Sequence, residues 1–205
     1  MRMLEALAAL PLGELLARLA SKKPVPGGGA VAPVVAAFSA GLAEMVVAYS
    51  IGKRALAEHE DELREASARL ERARVALLDL ADADAGAYAA LNAAFKLDKA
   101  DEQRTEKIAA GARAAVIPPQ ATMAMGIDLL RLYERLAEIS NRQLASDLRI
   151  AAILGEAAVR ASVENILVNL PLLGDAKRAG ELRGECERSM EEAGQRCEGV
   201  VRATG

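Results

Sequence analysis

The chain has 205 residues without a break in composition, which favours a single domain over residues 1–205. Its 45 alanines and 28 leucines, against two phenylalanines, three tyrosines and no tryptophan, favour helices and disfavour a β-sandwich or barrel. A net charge of −3 without a basic block leaves no footprint for a nucleic-acid partner, and one histidine with two cysteines rules out a His/Cys metal site.

The periodicity of apolar residues predicts an all-α fold, a helical bundle of about six helices with long antiparallel members. In chain order, the predicted segments are 3–22, 27–51, 55–95, 101–135, 141–170 and 175 to the C-terminus. A break in the fourth segment is expected at Pro118 and Pro119, because proline has no backbone N–H to donate.

The first segment is apolar, but Glu5, Glu14 and Arg18 interrupt it. It therefore predicts an amphipathic helix and not a signal peptide. Residues 24–43 carry no charge and approach the length of a transmembrane span. Because a Pro/Gly-rich opening and then Glu44 leave only about fourteen helical residues, we expect a buried core helix and no membrane association.

Three consecutive glycines, Gly27, Gly28 and Gly29, mark the start of the second helix. Glycine lets the backbone approach a ligand closely, and free N–H groups at a helix start favour an anion. The alternative is an ordinary tight turn. Lys53 lies beyond the other end of the same helix, where it either binds an anion or complements the helix dipole.

The third helix has a leucine seam that an aspartate interrupts. The seam consists of Leu63, Leu70, Leu77, Asp84 and Leu91. A core-facing carboxylate is costly unless it is paired or lines a wet cleft. Asp84 is therefore either a structural residue bonded to a neighbouring helix or a general base or acid with a raised pKa. Asp82 lies about 200° away around the helix, so we expect it to point to solvent.

The fifth helix has one face of small and polar side chains only. This stripe consists of Asp147, Ala151, Gly155, Ala158, Ser162, Asn165 and Asn169. It either lets another helix pack closely or, because buried amides need hydrogen-bond partners, places Asn165 and Asn169 on a ligand.

The last helix has Asp175 as a suitable N-cap and contains both cysteines, Cys186 and Cys197. The cysteines lie about 16 Å apart along the helix axis, too far for a disulfide. Two reduced cysteines are consistent with a cytoplasmic protein.

Five short motifs occur in a fixed order along the chain. They are PGGGAVA at 26–32, SIGKR at 50–54, DADAGAY at 82–88, NRQLASDL at 141–148 and NILVNL at 165–170. In this combination the sequence resembles the cyclodeaminase/cyclohydrolase family, which includes the C-terminal domain of formimidoyltransferase-cyclodeaminase and stand-alone bacterial relatives. The resemblance covers nearly the whole chain.

The resemblance implies an all-helical homodimer that acts on a one-carbon tetrahydrofolate and needs no cofactor besides this substrate. The family's reaction closes 5-formiminotetrahydrofolate to 5,10-methenyltetrahydrofolate with loss of ammonia, and some members hydrolyse the methenyl compound. The match to the DADAGAY motif makes Asp84 the catalytic residue, acting in turn as base and acid. Substrate-binding roles fall, by the same resemblance, on Gly27, Gly28, Gly29, Lys53, Tyr88, Asp147, Asn165 and Asn169.

The sequence departs from the family pattern at four places. Ala30 replaces a usual serine, Ser50 a threonine, Asp98 a proline and Ser140 a glycine. Three functions therefore stay open: a cyclodeaminase, a methenyltetrahydrofolate cyclohydrolase, and a folate-binding or scaffolding bundle that does not catalyse.

Overall fold

Seven α-helices make up most of residues 6–205, the part of the chain that the computed structural model describes. They are α1 (Leu12–Leu19), α2 (Gly28–Ala48), α3 (Glu60–Phe95), α4 (Arg104–Ala115), α5 (Ile117–Ile139), α6 (Ala145–Leu167) and α7 (Ala176–Ala203). Short 3-10 helices span Leu7–Ala9, Arg54–His59, Arg142–Leu144 and Leu170–Leu172. No strand occurs in this part of the chain, and the predicted all-α fold is confirmed.

The structure has one α-helix more than the six predicted, because the fourth predicted segment is two helices. Val116 separates α4 from α5, and Pro118 and Pro119 lie in the first turn of α5. Proline is accepted there, since the first N–H groups of a helix have no partner within the helix. The break predicted at the two prolines is therefore confirmed.

The first predicted helix is shorter in the structure than in the prediction. Residues 3–5 lie outside the described part of the chain, Leu7–Ala9 is a 3-10 turn, and α1 begins only after Pro11. Leu12 and Leu16 of α1 face solvent, and no residue of α1 is buried. The main core is instead shared by α2 to α7.

Helix α2 runs antiparallel to α3 and packs along it. Gly29, at the start of α2, lies against Asp84, whereas Gly41, in the middle of α2, lies against Arg74. The α3 neighbour thus moves towards lower numbers as α2 proceeds. The start of α2 and the second half of α3 consequently meet at the same end of the bundle.

Helix α6 packs on another side of α2 and is also antiparallel to it. Gly28 faces Asn165, and the hydroxyl of Ser39 donates to the carbonyl oxygen of Ala151 at 2.7 Å. A Cβ atom at Gly155 would lie 3.3 Å from Ser39 Oγ, so the small residue permits this close approach. Close packing therefore explains the middle of the small-residue stripe on α6.

A pair of hydroxyl groups lies in the centre of the otherwise apolar core. The hydroxyl of Tyr133, on α5, is 2.9 Å from Ser39 Oγ, and both side chains are fully buried. Because the Ser39 proton is donated to Ala151, Tyr133 is the donor to Ser39. Burial raises the pKa of Tyr133, so the phenol keeps the proton it donates. This cluster joins α2, α5 and α6.

Helix α2 is buried on one side only. It is the one helix of the described residues that is long and apolar enough to cross a membrane, and 56% of its most apolar window is buried inside the bundle. Its outer side carries a row of apolar and small residues, here named the α2 stripe: Val34, Phe38, Gly41, Leu42, Met45 and Tyr49. The prediction of a buried core helix therefore holds for one face of α2. The other face is apolar and exposed to solvent.

Candidate active site

Asp84 continues the leucine seam of α3 but opens onto a cleft. Leu70 and Leu77 are fully buried, whereas Asp84 is only partly buried. Within residues 6–205 no hydrogen bond or ion pair reaches its carboxylate, although every fully buried side-chain nitrogen or oxygen atom there has a hydrogen-bond partner. The Asp84 oxygens are therefore not sealed in the core but are accessible from the cleft.

Burial raises the pKa of Asp84 from its ordinary value of 3.8 to about 6. The cause is loss of hydration, because no positive charge or hydrogen-bond donor lies near enough to favour the ionised form. A carboxylate with such a pKa is mostly ionised at neutral pH, yet it can take up a proton readily. It can therefore act first as a base and then as an acid.

The glycines at the start of α2 form the wall that faces Asp84. A Cβ atom at Gly29 would collide with the carboxylate of Asp84, so no larger residue fits there without moving it. A Cβ atom at Gly28 would lie 3.6 Å from Asn165 Oδ1. Among the described residues, no group accepts a hydrogen bond from the N–H groups of Gly28 and Gly29, which leaves both amides free for a ligand.

The cleft between α2, α3 and α6 has a volume of about 410 Å³, within the range of small-molecule sites. Apolar side chains supply most of its wall, and the polar side chains of Asp84, Asn165 and Asn169 supply the rest together with Tyr88. Its lining residues are Pro24, Val25, Gly27, Gly28, Gly29, Asp84, Tyr88, Leu91, Phe95, Ala115, Asn165, Val168, Asn169 and Leu172.

Two side-chain amides lie one turn apart on the α6 side of the cleft. Asn165 Nδ2 donates to the carbonyl of Ala161 at 2.9 Å, and Asn169 Nδ2 donates to the carbonyl of Asn165 at 2.8 Å. Each amide keeps its Oδ1 and a second N–H without a partner among residues 6–205. The pair can therefore both donate to and accept from a polar heterocycle in the cleft.

Tyr88 lies one helical turn after Asp84 and forms part of the rim. Its ring is 45% exposed, and the exposed side chains of Phe95 and Val168 lie on the same cleft. Such a rim offers a flat apolar surface to an aromatic ligand. Phe95, Val168 and Leu172 were not predicted as site residues. The sequence held one indication that Val168 belongs to the site, because this apolar residue directly precedes Asn169 in the NILVNL motif.

The cleft brings together seven of the nine predicted site residues but not Lys53 or Asp147. Lys53 follows the far end of α2, a helix of 21 residues, and is about 30 Å from the glycines. Asp147 is in the first turn of α6, about 27 Å from Asn165. Both residues lie at the opposite end of the bundle, because α2 and α6 run its full length.

Asp82 does not simply point to solvent, and this expectation is corrected. Its Oδ1 accepts a hydrogen bond from the backbone N–H of Leu7 at 2.8 Å, and the side chain is partly buried. Asp82 therefore fastens the N-terminal 3-10 turn to α3. It lines a different cavity from Asp84, so the two aspartates are not a catalytic pair.

Comparison with known sequences decides the family. The family described as formiminotransferase-cyclodeaminase matches residues 11–188. This chain belongs to that family. The fold agrees with this assignment. The crystal structure of formiminotetrahydrofolate cyclodeaminase from Thermotoga maritima is similar with a TM-score of 0.82 and 31% identity, over 96% of this chain and 94% of that chain.

Two kinds of family member are similar to the chain in sequence. Formimidoyltransferase-cyclodeaminase from Gallus gallus is 32% identical over 93% of this chain, which spans only 36% of the length of that relative. Methenyltetrahydrofolate cyclohydrolase from Methylorubrum extorquens is 33% identical over 86% of each chain. The relatives thus include both activities that the sequence left open.

The four departures from the family pattern do not change the surface of the cleft. Ala30 is buried in a small core beside it, and Asp98 caps a turn by accepting from the N–H of Ala100. Ser140 has an extended backbone, with φ −98°, which needs no glycine. Ser50 is buried, and its hydroxyl donates to the Val46 carbonyl. These departures therefore leave the polar groups around Asp84 in place.

Proposed function

We propose that the chain is a formimidoyltetrahydrofolate cyclodeaminase, which converts 5-formiminotetrahydrofolate to 5,10-methenyltetrahydrofolate and ammonia. The observation that carries the proposal is the carboxylate of Asp84, which has no partner among the described residues and a pKa raised to about 6, at the wall of a cleft with two side-chain amides. Family membership and the similarity to named cyclodeaminases support it.

The reaction needs a proton to move from one nitrogen to another. N10 of the substrate attacks the carbon of the protonated formimino group, and the N10–C bond forms. The ionised Asp84 accepts the N10 proton and then donates it to the amino nitrogen, so that the C–N bond breaks and ammonia leaves. Asp84 ends in its starting form. While it is ionised, before it accepts the N10 proton and after it releases it, its negative charge also stabilises the cationic carbon.

The other cleft residues hold the substrate in this proposal. Asn165 and Asn169 offer free carboxamide groups to the polar edge of the pterin, and the ring of Tyr88 packs against an aromatic part of the substrate. The amides of Gly28 and Gly29 suit an anionic or carbonyl oxygen. Attacking nitrogen and target carbon belong to one molecule, so no further cofactor is required.

The test measures methenyltetrahydrofolate formation and ammonia release by the purified protein and by Asp84→Asn. We expect the two products to appear together in the wild type and a loss of at least a hundredfold in kcat for the variant. Asp79→Asn, an exposed carboxylate of the same helix, is the matched control and retains activity. Near wild-type turnover by Asp84→Asn would overturn the proposal.

A methenyltetrahydrofolate cyclohydrolase is the second candidate, favoured by the Methylorubrum relative, which matches this chain over 86% of each length. In that reaction the same carboxylate would take a proton from the water that attacks the methenyl carbon. Comparing kcat/KM for the formimino and methenyl substrates separates the candidates. A higher value for methenyl hydrolysis, without appreciable ammonia release from the formimino substrate, would replace the first proposal by the second.

A non-catalytic bundle is disfavoured by the local geometry. That alternative expects Asp84 to have a satisfying protein partner and no cleft beside it, whereas within residues 6–205 the carboxylate has no partner and lines a cleft. We also propose a homodimer, which follows from the family resemblance, and a cytoplasmic location, with which the two free cysteines are consistent. Analytical ultracentrifugation at micromolar concentration tests the dimer.

A further inference from the structure

The α3 side chains that line the Asp84 cleft form one row along the helix. The row consists of Asp84, Tyr88, Leu91 and Phe95, whose spacings of three or four residues keep them on one face. Phe95 comes eleven residues after Asp84, which places it about 16 Å farther along the helix axis. The cleft therefore has an inner end at Asp84 and an outer end at Phe95, with Tyr88 and Leu91 between them.

Arg104, the first residue of α4, is held against this outer end. Its Nε donates to the carbonyl oxygen of Leu97 and its Nη2 to that of Phe95, each at 3.3 Å. The side chain is half-buried, and within residues 6–205 it forms no ion pair. The two carbonyls take one edge of the guanidinium, so that Nη1 and the second N–H of Nη2 stay available on the other edge. Arg104 thus offers a fixed, uncompensated positive charge next to a residue of the cleft.

The connection between α3 and α4 has more unpaired cations than unpaired carboxylates. Asp101 pairs with Lys107 at 3.3 Å, and Glu106 pairs with Arg113. The other charged residues of 96–107 form no ion pair among the described residues, and they are Lys96, Lys99, Arg104, Asp98 and Glu102. Three positive charges against two negative ones favour an anion at the outer end.

A second cavity adjoins the cleft at Pro24 and Val25, which belong to the walls of both. The charged residues in the described part of its lining are Glu14, Arg18, Lys23 and Asp82. Glu14 pairs with Arg18, and Asp82 accepts the hydrogen bond from Leu7. Because the two positive and two negative charges balance, this cavity attracts an anion less than the outer end of the cleft does.

The distances suit a ligand with a reacting nitrogen at one end and a carboxylate at the other. The identity of this ligand rests on the proposed function, in which N10 of a tetrahydrofolate lies at Asp84. An aminobenzoyl ring and an amide separate N10 from the glutamate carboxylates by about 10–13 Å. With a hydrogen bond of about 3 Å at each end, the donor to a carboxylate should be about 16–19 Å from Asp84. Arg104 fits this distance, because it binds the carbonyl of Phe95.

The wall between the two ends fits the middle of such a ligand. The rings of Tyr88 and Phe95 are exposed on the cleft, where they can pack against an aminobenzoyl ring. A carboxylate placed beside these apolar groups needs a cation, since burying an unpaired charge is costly. The free edge of a guanidinium matches a carboxylate with two parallel hydrogen bonds.

We propose that Arg104 binds the tail carboxylate of the substrate at the outer end of the cleft while the reacting atoms lie at Asp84. Arg104 takes no part in the proton transfer. It holds the substrate along the α3 row and selects ligands that carry a carboxylate about 10–13 Å from the reacting nitrogen. This role adds α4 to the helices that form the site.

Two substrates that differ only in the tail test the contact. They are 5-formiminotetrahydrofolate and the formimino derivative of tetrahydropteroate N-methylamide, which keeps the amide but has neither carboxylate. For the wild type we expect a KM at least tenfold higher for the methylamide, with a similar kcat. Arg104→Gln, which keeps a donor for the backbone carbonyls, should raise the KM for the folate to that of the methylamide and leave the methylamide KM unchanged. Arg104→Lys should restore part of the difference.

Two further arginine and lysine variants are the controls. Arg149→Ala removes a half-buried arginine that donates to the Thr204 carbonyl at the opposite end of the bundle. Lys23→Ala removes the exposed lysine of the second cavity. Both should keep the wild-type ratio of the two KM values. An equal rise of both KM values in Arg104→Gln would make Arg104 purely structural, and loss of the ratio in Lys23→Ala would place the tail in the second cavity; either result overturns the proposal.

Calorimetric titration with tetrahydrofolate and tetrahydropteroate N-methylamide separates this inference from the proposed function, because it needs no turnover. A tail-dependent difference in Kd that Arg104→Gln removes, in a protein that turns over neither folate, would retain the role of Arg104 and reject the proposed function. Turnover by a wild type that does not distinguish the two ligands would retain the function and reject the role of Arg104. Failure to bind tetrahydrofolate would reject both.

Discussion

The substitution Asp84→Asn is expected to stabilise the protein at neutral pH while it removes the proposed activity. Burial raises the pKa of Asp84 from 3.8 to about 6. The folded protein therefore binds the proton more tightly than the unfolded chain, and the free energy of unfolding falls as the pH rises from about 4 to above 6. Asparagine has a similar shape without the charge, so the free energy of unfolding of the variant does not fall in this way as the pH rises.

The size of the effect follows from the shift. The rise in the pKa of Asp84 from 3.8 to about 6 corresponds to about 3 kcal/mol, and access of solvent to the cleft reduces this to about 1.5 kcal/mol. The substitution Asp84→Asn changes the free energy of unfolding by a different amount at each pH. The change at pH 7 should be more favourable than the change at pH 4 by about 1.5 kcal/mol. For a chain of this length the gain corresponds to about 3–6 °C in Tm.

Urea unfolding of wild type and variant at pH 7 and pH 4, at equal protein concentration, measures the difference between the two effects. Asp79→Asn is the matched control, because Asp79 is an exposed carboxylate on the same helix. Its effect at each pH is the reference with which the effect of Asp84→Asn is compared. If Asp84→Asn changes stability equally at pH 7 and pH 4, Asp84 is not desolvated in the folded protein, and the reasoning that makes it a base fails.

Three further predictions concern activity. The kcat/KM of the wild type should rise with pH through an apparent pKa near 6 and then level off, because Asp84 must be ionised to accept the N10 proton; a flat profile between pH 5 and 8 would contradict this role. Gly29→Ala should lower kcat at least tenfold, because the added Cβ displaces the Asp84 carboxylate, whereas Gly13→Ala, with open space around it, should not. Asn165→Ala should raise the KM about tenfold with a smaller change in kcat, as steady-state kinetics would measure; an unchanged KM would exclude an amide contact to the substrate.

Helical periodicity was sufficient to predict that Asp84 faces inward. Successive seam residues of a long helix share one face, so a carboxylate among leucines has to meet the core or a cleft. Asn165 on α6 and Asn169, two residues beyond its end, were found in the same way. The contact between Asp82 and Leu7 had no such signal, because it depends on how a separate N-terminal turn packs against the helix.

The position of Lys53 could not be predicted from the motifs. A match to a motif identifies a candidate site residue, but it does not give the distance between that residue and the other candidates in the folded chain. Once α2 is known to be one uninterrupted helix, Lys53 and Gly29 must lie at opposite ends of the bundle. The sequence of α2, which carries no charge before Glu44, also did not distinguish a helix buried on all sides from one with an open apolar face, since both have a similar apolar composition.

The hydroxyl cluster of Ser39 and Tyr133 has a consequence for the alignment of the helices. Alanine side chains are short, so helices that meet through them interlock weakly and slide past one another at little cost. Ser39 has to reach both Tyr133 and the Ala151 carbonyl, a condition that only one axial position of α2 against α5 and α6 satisfies. A polar contact about 15 Å away thus fixes the register in which Gly28 stands opposite Asn165.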